Sequence, residues 1–244
     1  LFDIKVIHGD CNKILPTLKE DSIDLIITSP PYNVGLDYNS YNDTLSYDNY
    51  LSFLKTTFIN CYRVLKYTGR ICLNIPNVNF NNERHFTIAD IDSIMKEIGY
   101  IYRNNILWNK GNISKRTAWG SFNSPSNPYL VEPYEFITVY SKKLLCSKPY
   151  GRKSDITKEE FIEYTNSLWN IKPETKIKEH PAAYPEELVY RLIKFYSYVG
   201  DTVLDPFLGS GTTCLVAKKL GRNCIGIEQD EKYIELAKKR CGIE

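Results

Sequence analysis

Short β-branched apolar runs, set between stretches of helical periodicity, constrain this chain more than any other feature. Lys5-Val-Ile-His8, Asp24-Leu-Ile-Ile-Thr28, Arg70-Ile-Cys-Leu-Asn-Ile75, Val203-Leu204 and Cys224-Ile-Gly-Ile227 each read as a strand. Between them, Leu54, Phe58, Cys61 and Leu65 recur at helical spacing, as do Ile91, Ile94, Met95 and Ile98, and then Leu188, Leu192 and Tyr196. Strands that alternate with helices build a mainly parallel sheet covered on both faces, so an α/β, doubly wound fold is expected. Gly69 and Gly99 are placed to end the first two helices, and Pro185 to open the third with Glu186 and Glu187 in its first turn. Asn105-Ile-Leu-Trp108 and Glu135-Phe-Ile-Thr-Val-Tyr140 are joined by a polar connection rather than a helix, which makes them most simply an antiparallel pair at one edge.

The chain of 244 residues, 43% of them hydrophobic, can bury one full core, and residues 1–244 are read as a single domain. With 31 basic and 29 acidic side chains the net charge is +2, so any nucleic-acid surface must be local. The seven cysteines are scattered without a Cys-x-x-Cys pair and read as buried thiols of a cytoplasmic protein. No ligand spacing links them to the three histidines, so no metal is expected. No apolar run could span a bilayer and no secretory signal is visible, so a membrane partner is not expected.

Two motifs carry chemistry. Asp205-Pro-Phe-Leu-Gly-Ser-Gly-Thr-Thr213 is a strand breaking into a Gly-rich turn that opens a helix, a geometry that aims backbone N–H groups at a polar ligand. A nicotinamide-binding turn would need a third glycine where Cys214 stands. Thr28-Ser-Pro-Pro-Tyr-Asn33 follows another strand and stiffens the chain beside a hydroxyl and a ring. Together these motifs resemble those of the S-adenosylmethionine-dependent amino-methyltransferases that modify exocyclic base nitrogens in DNA. The catalytic motif comes first, as in the permuted β group of that family. The resemblance implies a Rossmann-like methyltransferase fold, circularly permuted, with a mainly parallel seven-stranded sheet and an antiparallel edge strand.

It also implies roles. Pro206, Phe207, Gly209, Ser210, Gly211 and Thr212 would form the cofactor turn, with the glycines admitting a ligand where a Cβ would clash. Asp205 suits a cationic partner such as the methionine amino group. Glu228, followed by Gln229, would take both hydroxyls of a ribose. Asp10, beside Cys11, either contacts the cofactor adenine or caps the next helix. At the reacting end, Ser29 Oγ and the Pro30 carbonyl would accept hydrogen bonds from the target amine, while Pro31 stiffens the turn and Tyr32 stacks on a base turned out of the duplex. The amine's lone pair would then face the methyl group for direct transfer. No covalent enzyme intermediate is needed.

Ser29, where adenine enzymes of the family mostly carry Asp or Asn, points to cytosine N4; adenine N6 is the alternative, and a catalytically silent DNA-binding module the reading from another class. Methylation of RNA or of protein glutamine uses a related motif, but usually with the cofactor motif first. Double-stranded DNA with a short recognition sequence is the implied partner, through Lys115, Arg116, Trp119, Arg152 and Lys153. Asn33 to Tyr50 reads as a flap over the base pocket or a plain surface loop. The segment from His180 to Glu187 resembles a wall of the cofactor pocket, and Leu144 to Glu179 a small target-recognition-like region. Family habit admits a homodimer and a cognate restriction endonuclease as further partners.

Overall fold

The computed structural model describes residues 2–32, 45–80, 83–111, 120–130, 132–143, 151–175 and 184–243. The chain opens with β1 (Ile4–His8), α1 (Cys11–Ile14) and β2 (Ile23–Thr28), then α2 (Tyr47–Val64), which runs directly into β3 (Leu65–Ile75). A hairpin of β4 (Val78–Phe80) and β5 (Glu83–His85) leads to α3 (Thr87–Ile98), β6 (Ile101–Asn109) and β7 (Tyr134–Ser141). There follow α4 (Lys158–Tyr164), β8 (Leu168–Asn170) and α5 (Glu186–Tyr196). Last come β9 (Thr202–Asp205), α6 (Thr212–Lys219), β10 (Asn223–Glu228) and α7 (Glu231–Cys241).

The main sheet has the order β1-β10-β9-β2-β3-β7-β6-β8. All neighbours are parallel except at β7, which runs antiparallel to both β3 and β6. The antiparallel strand therefore lies inside the sheet rather than at its edge. Winding proceeds outward from β9 to β10 on one side and from β2 to β3 on the other. The connections leave β9 and β2 in opposite directions, which opens a crevice at their carboxyl ends.

Alternation along the strands supplies both faces. In β2, Leu25 and Ile27 enter one core cluster and Ile26 the other; in β9, Val203 and Leu204 divide in the same way. The first cluster is closed by α5, α6 and α7, the second by α1, α2 and α3.

Three further expectations need correction. Gly99 ends α3 in the left-handed conformation, at φ 106°, but Gly69 ends no helix: α2 stops when Leu65 turns extended, and Gly69 sits within β3. The sheet has eight strands, because β8 adds to β6 and buries Trp169 beside Trp108. Residues 151–175, the described part of the expected recognition-like region, thereby pack onto the edge of the sheet. Finally, Cys214 and Cys224 are joined as a disulfide, since the packing of α6 against β10 brings their Cα atoms to 5.3 Å. Cys11, Cys61, Cys72 and Cys241 are free and buried.

Candidate active site

A cleft opens at the carboxyl ends of β1, β10, β9 and β2, where the topology leaves its crevice. Ser29, Pro30, Pro31 and Tyr32 line it from the turn after β2. Pro206, Phe207, Gly209, Ser210 and Thr212 line it from the turn after β9, and Asp10, Cys11, Glu228 and Gln229 from the ends of β1 and β10. The tertiary fold thus brings two motifs 176 residues apart, counted from Ser29 to Asp205, onto one cavity.

Asp205 and Gly211, expected at the ligand, lie behind it. The Asp205 side chain is fully buried and accepts four hydrogen bonds. Oδ1 takes the Thr28 hydroxyl at 2.8 Å and the Phe207 N–H at 3.1 Å; Oδ2 takes the hydroxyls of Thr213 at 2.6 Å and Tyr184 at 2.7 Å. A carboxylate offers about four lone-pair sites, so none remains for an ammonium group. Burial raises its pKa against the pull of these donors. Asp205 instead ties the residue preceding Ser29 to the Gly-rich turn. Gly211, at φ 85°, is required by packing: a Cβ there would stand 2.8 Å from Ala237 Cα of α7.

Glu228 is bound by backbone. Oε2 accepts from Gly209 N–H at 2.7 Å, and Oε1 from the N–H groups of Gln229 and Asp230 at 2.8 Å each. Burial raises the carboxyl's pKa while those N–H groups lower it. Three of its lone-pair sites are filled, which leaves one on Oε2 for a ligand hydroxyl rather than the two-oxygen chelate expected. Asp10 caps α1, with Oδ1 accepting from Asn12 N–H at 2.9 Å, while the residue also lines the cleft. Both of its readings are compatible with this placement. Burial pushes the neighbouring Cys11 thiol up to about 12, so it is an inert wall residue.

Behind Ser29 stands a polar cluster that sequence reasoning missed. Ser29 Oγ and the Tyr32 hydroxyl are 2.8 Å apart. Asn74, at the end of β3, donates through Nδ2 to Glu135 Oε2 at 2.8 Å and to the Tyr32 hydroxyl at 3.1 Å. Glu135, at the start of β7, is only 7% exposed and is paired with Lys110 Nζ, which lies over the Trp108 ring. Tyr184, from the segment expected to wall the pocket, and Leu208, within the Gly-rich motif, line the cleft as well, while Phe53, Ile227 and Tyr233 do so without having been anticipated. Residues 180–183 lie outside the described residues.

The expected DNA residues divide. Lys115, Arg116 and Trp119 lie outside the described residues, as does most of the flap, from 33 to 44; Tyr47 to Tyr50 belong to α2. Arg152 is held by two aspartates. Its guanidinium pairs with Asp24 at 3.2 Å and with Asp201, and lies over the Tyr198 ring. Asp24 and Asp201 stand at the amino ends of β2 and β9, so Arg152 and the exposed Lys153 occupy the edge of the sheet opposite the cleft. A strand of six residues separates those edges by about 20 Å.

Known proteins match along nearly the whole chain. Type II methyltransferase M.MjaVI of Methanocaldococcus jannaschii is 48% identical over 159 residues, 65% of this chain and 81% of its own. Type II methyltransferase M.HpaI of Haemophilus parainfluenzae is 34% identical over 253 residues, covering 99% of this chain and 75% of its own. A candidate DNA modification methylase of Thermus thermophilus, solved in complex with S-adenosyl-L-methionine, superposes with a TM-score of 0.79 at 28% identity, over 98% of this chain and 95% of that one. PvuII DNA methyltransferase, described as cytosine-N4-specific, gives 0.77 at 21% identity over 98% and 90%, a likeness that speaks to the fold alone. The sequence model of the N6/N4 methyltransferase family, described as DNA methylase, matches residues 23–239. With both motifs on one cleft and that match across most of its length, the chain belongs to the N6/N4 DNA methylase family.

Proposed function

We propose that this protein is a site-specific DNA methyltransferase that uses S-adenosylmethionine to methylate the exocyclic N4 amino group of cytosine. The observation that carries the reading is that Ser29-Pro-Pro-Tyr32 and the Gly-rich turn line a single cleft. The cleft suits a nucleoside. Glu228 Oε2 offers one open acceptor position, and Phe53 and Phe207, with ring centroids 5.9 Å apart, supply flat apolar surface near Asp10. Glycine at 209 lets the turn carry an N–H to Glu228 and so hold that acceptor in place.

When bound, S-adenosylmethionine supplies an electrophilic methyl group. The residues of this chain prepare the amine that receives it. An exocyclic amine is a weak nucleophile because its lone pair is delocalised into the ring. Ser29 Oγ and the Pro30 carbonyl accept its two N–H protons and favour a pyramidal nitrogen, while proline's fixed φ holds that carbonyl in place. Tyr32 offers its ring to a base drawn out of the duplex, a step required of any enzyme acting on a stacked base. A neutral serine hydroxyl, in place of the carboxylate or amide found at this position in most adenine enzymes, favours cytosine.

The test is to methylate unmodified DNA with the purified protein and identify the modified nucleosides by mass spectrometry. 4-Methylcytosine is the expected product. 6-Methyladenine alone would overturn the choice of base, and no modified nucleoside across DNA of varied sequence would overturn the enzymatic reading.

A further inference from the structure

The five-residue polar cluster under the Ser29 turn is larger than an anchor for that turn requires, and it contains a buried charge pair. Asn74 and Glu135 are 4% and 7% exposed, and Lys110 closes on Glu135 Oε1. A buried ion pair usually costs more in desolvation than it returns in stability, so its place beside the reacting hydroxyl asks for a role in the chemistry. We infer that Glu135, paired with Lys110, directs the hydrogen-bond chain Ser29–Tyr32–Glu135 and accepts the proton that the target amine must lose. This rests on the amine-methylation reading above.

The direction of the chain follows from the groups. An ionised carboxylate has no proton to give, so the Tyr32 hydroxyl donates to Glu135 Oε2 across 3.4 Å. A phenol has a single proton, so at the 2.8 Å contact the Ser29 hydroxyl donates to Tyr32. The other acceptor within its reach, the Asn74 carbonyl at 3.2 Å, also lies away from the base. Ser29 Oγ is thereby left as an acceptor toward the cleft, as a bound amine requires. Asn74 Nδ2 lies within 3.4 Å of Ser29 Oγ, the Tyr32 hydroxyl and Glu135 Oε2, and spaces all three. Among the described residues, the titratable groups facing Glu135 are Lys110, just after β6, and Tyr32 from the turn after β2, while β3 presents the neutral Asn74.

The step balances. The amine nitrogen contributes the electron pair of the new N–C bond, and the pair of the broken C–S bond stays on sulfur, which becomes a neutral thioether. One proton then leaves nitrogen for Ser29 Oγ, Ser29 passes its own to Tyr32, and Tyr32 passes its own to Glu135 Oε2. Glu135 ends as a neutral carboxylic acid and releases the proton to water beside Lys110, whose side chain is 20% exposed, once product leaves. Glu135 touches no reacting atom; it is a positioning residue and proton acceptor that acts through Tyr32.

Two variants and two readouts test this. Glu135→Gln keeps the side chain's size but cannot take a proton, and Tyr32→Phe keeps the ring but breaks the chain. Single-turnover methylation of unmodified DNA should slow in each on the order of 100-fold. The double variant should be no slower than the worse single. In the protein without cofactor or DNA, an isotope label at tyrosine Cζ, with the Tyr32 resonance assigned by its loss in Tyr32→Phe, should move upfield in Glu135→Gln as the phenol stops donating to a carboxylate. A Tyr32 resonance unmoved by Glu135→Gln, or effects that multiply in the double variant, would overturn the inference. If Glu135→Gln does not fold, Tyr32→Phe decides alone: a parent-like single-turnover rate there overturns the chain. A parent protein that methylates nothing would instead defeat the functional reading.

Discussion

Asp205 and Ser29 lie at the two motifs' heads and act at different removes from the ligand. Asp205 is a node of four hydrogen bonds with no exposure, whereas Ser29 presents its oxygen to the cleft. Removing either should be told apart by two measurements. Ser29→Ala should leave the urea unfolding midpoint and S-adenosylmethionine affinity near the parent's and cost about 2–4 kcal/mol of transition-state stabilisation, by analogy with oxyanion donors. Asp205→Ala should lower the unfolding midpoint as well as cofactor affinity. It strands three hydroxyls and an N–H in a dry site, at about 1–3 kcal/mol for each donor left without a partner. Calorimetric titration with S-adenosylmethionine beside urea unfolding separates the two outcomes. An Asp205→Ala protein of parental stability would show that the four contacts are dispensable.

Among the elements, the segment before α4 is clamped to the turn between α6 and β10 by one ion pair. Arg222, fully buried, donates to both oxygens of Asp155 at 2.6 and 2.7 Å. It also donates to the Leu220 and Ser197 carbonyls at 2.7 and 2.9 Å. Burial alone would raise the Asp155 carboxyl, but the hydrogen bonds and charge of Arg222 outweigh it and hold it below the ordinary carboxylate range. Asp155→Ala leaves a buried guanidinium without its counter-charge, and should cost about 3 kcal/mol at neutral pH. The sign with pH is set by the depressed pKa. The parent's advantage is present above the unfolded carboxyl value of about 3.9 and is lost as pH falls through the lower folded value. Urea unfolding of both proteins should therefore show a gap that is constant from neutral pH to about 5 and closes below about 4. A gap that persists in stronger acid would assign the loss to packing rather than charge.

For the whole molecule, sheet polarity offers the proposed activity one edge at which to meet DNA. The cleft lies at the carboxyl edge, and the connection from Asn109 to Tyr134 begins and ends at that edge. Within it Phe122 and Leu130 are 78% and 81% exposed, surface of the kind that stacks on or wedges against bases. Charge reversal at Lys115 and Arg116, or Phe122→Ala, should weaken DNA binding, and the two charge changes should flatten its salt dependence. Arg152→Glu should leave DNA affinity and salt slope unchanged but lower thermal stability, because it sets a third carboxylate against Asp24 and Asp201. Fluorescence anisotropy across a salt series checks both; a reduced slope in Arg152→Glu would restore that residue to the DNA face.

What the sequence determined by itself is local or periodic. β2, α3, α5, β9 and the Gly-rich turn follow from short-range rules: alternation, helical spacing, a left-handed cap at Gly99 and a first turn of acids after Pro185. The two motifs were legible for the same reason, each being a contiguous string whose chemistry needs neighbouring residues. Tertiary structure alone decided which residues meet across the sheet. No local pattern marks Glu135 or Lys110; antiparallel pairing of β7 brings them to Tyr32. Arg152 carried charge suited to phosphate, yet two aspartates distant in sequence claim it. β8 has only three residues, too few for a periodicity to register, and it exists because β6 offers an open edge and the core takes Trp169. Local propensity selects the elements; partners distant in sequence, converging only once the sheet is wound, assign the charged side chains their work.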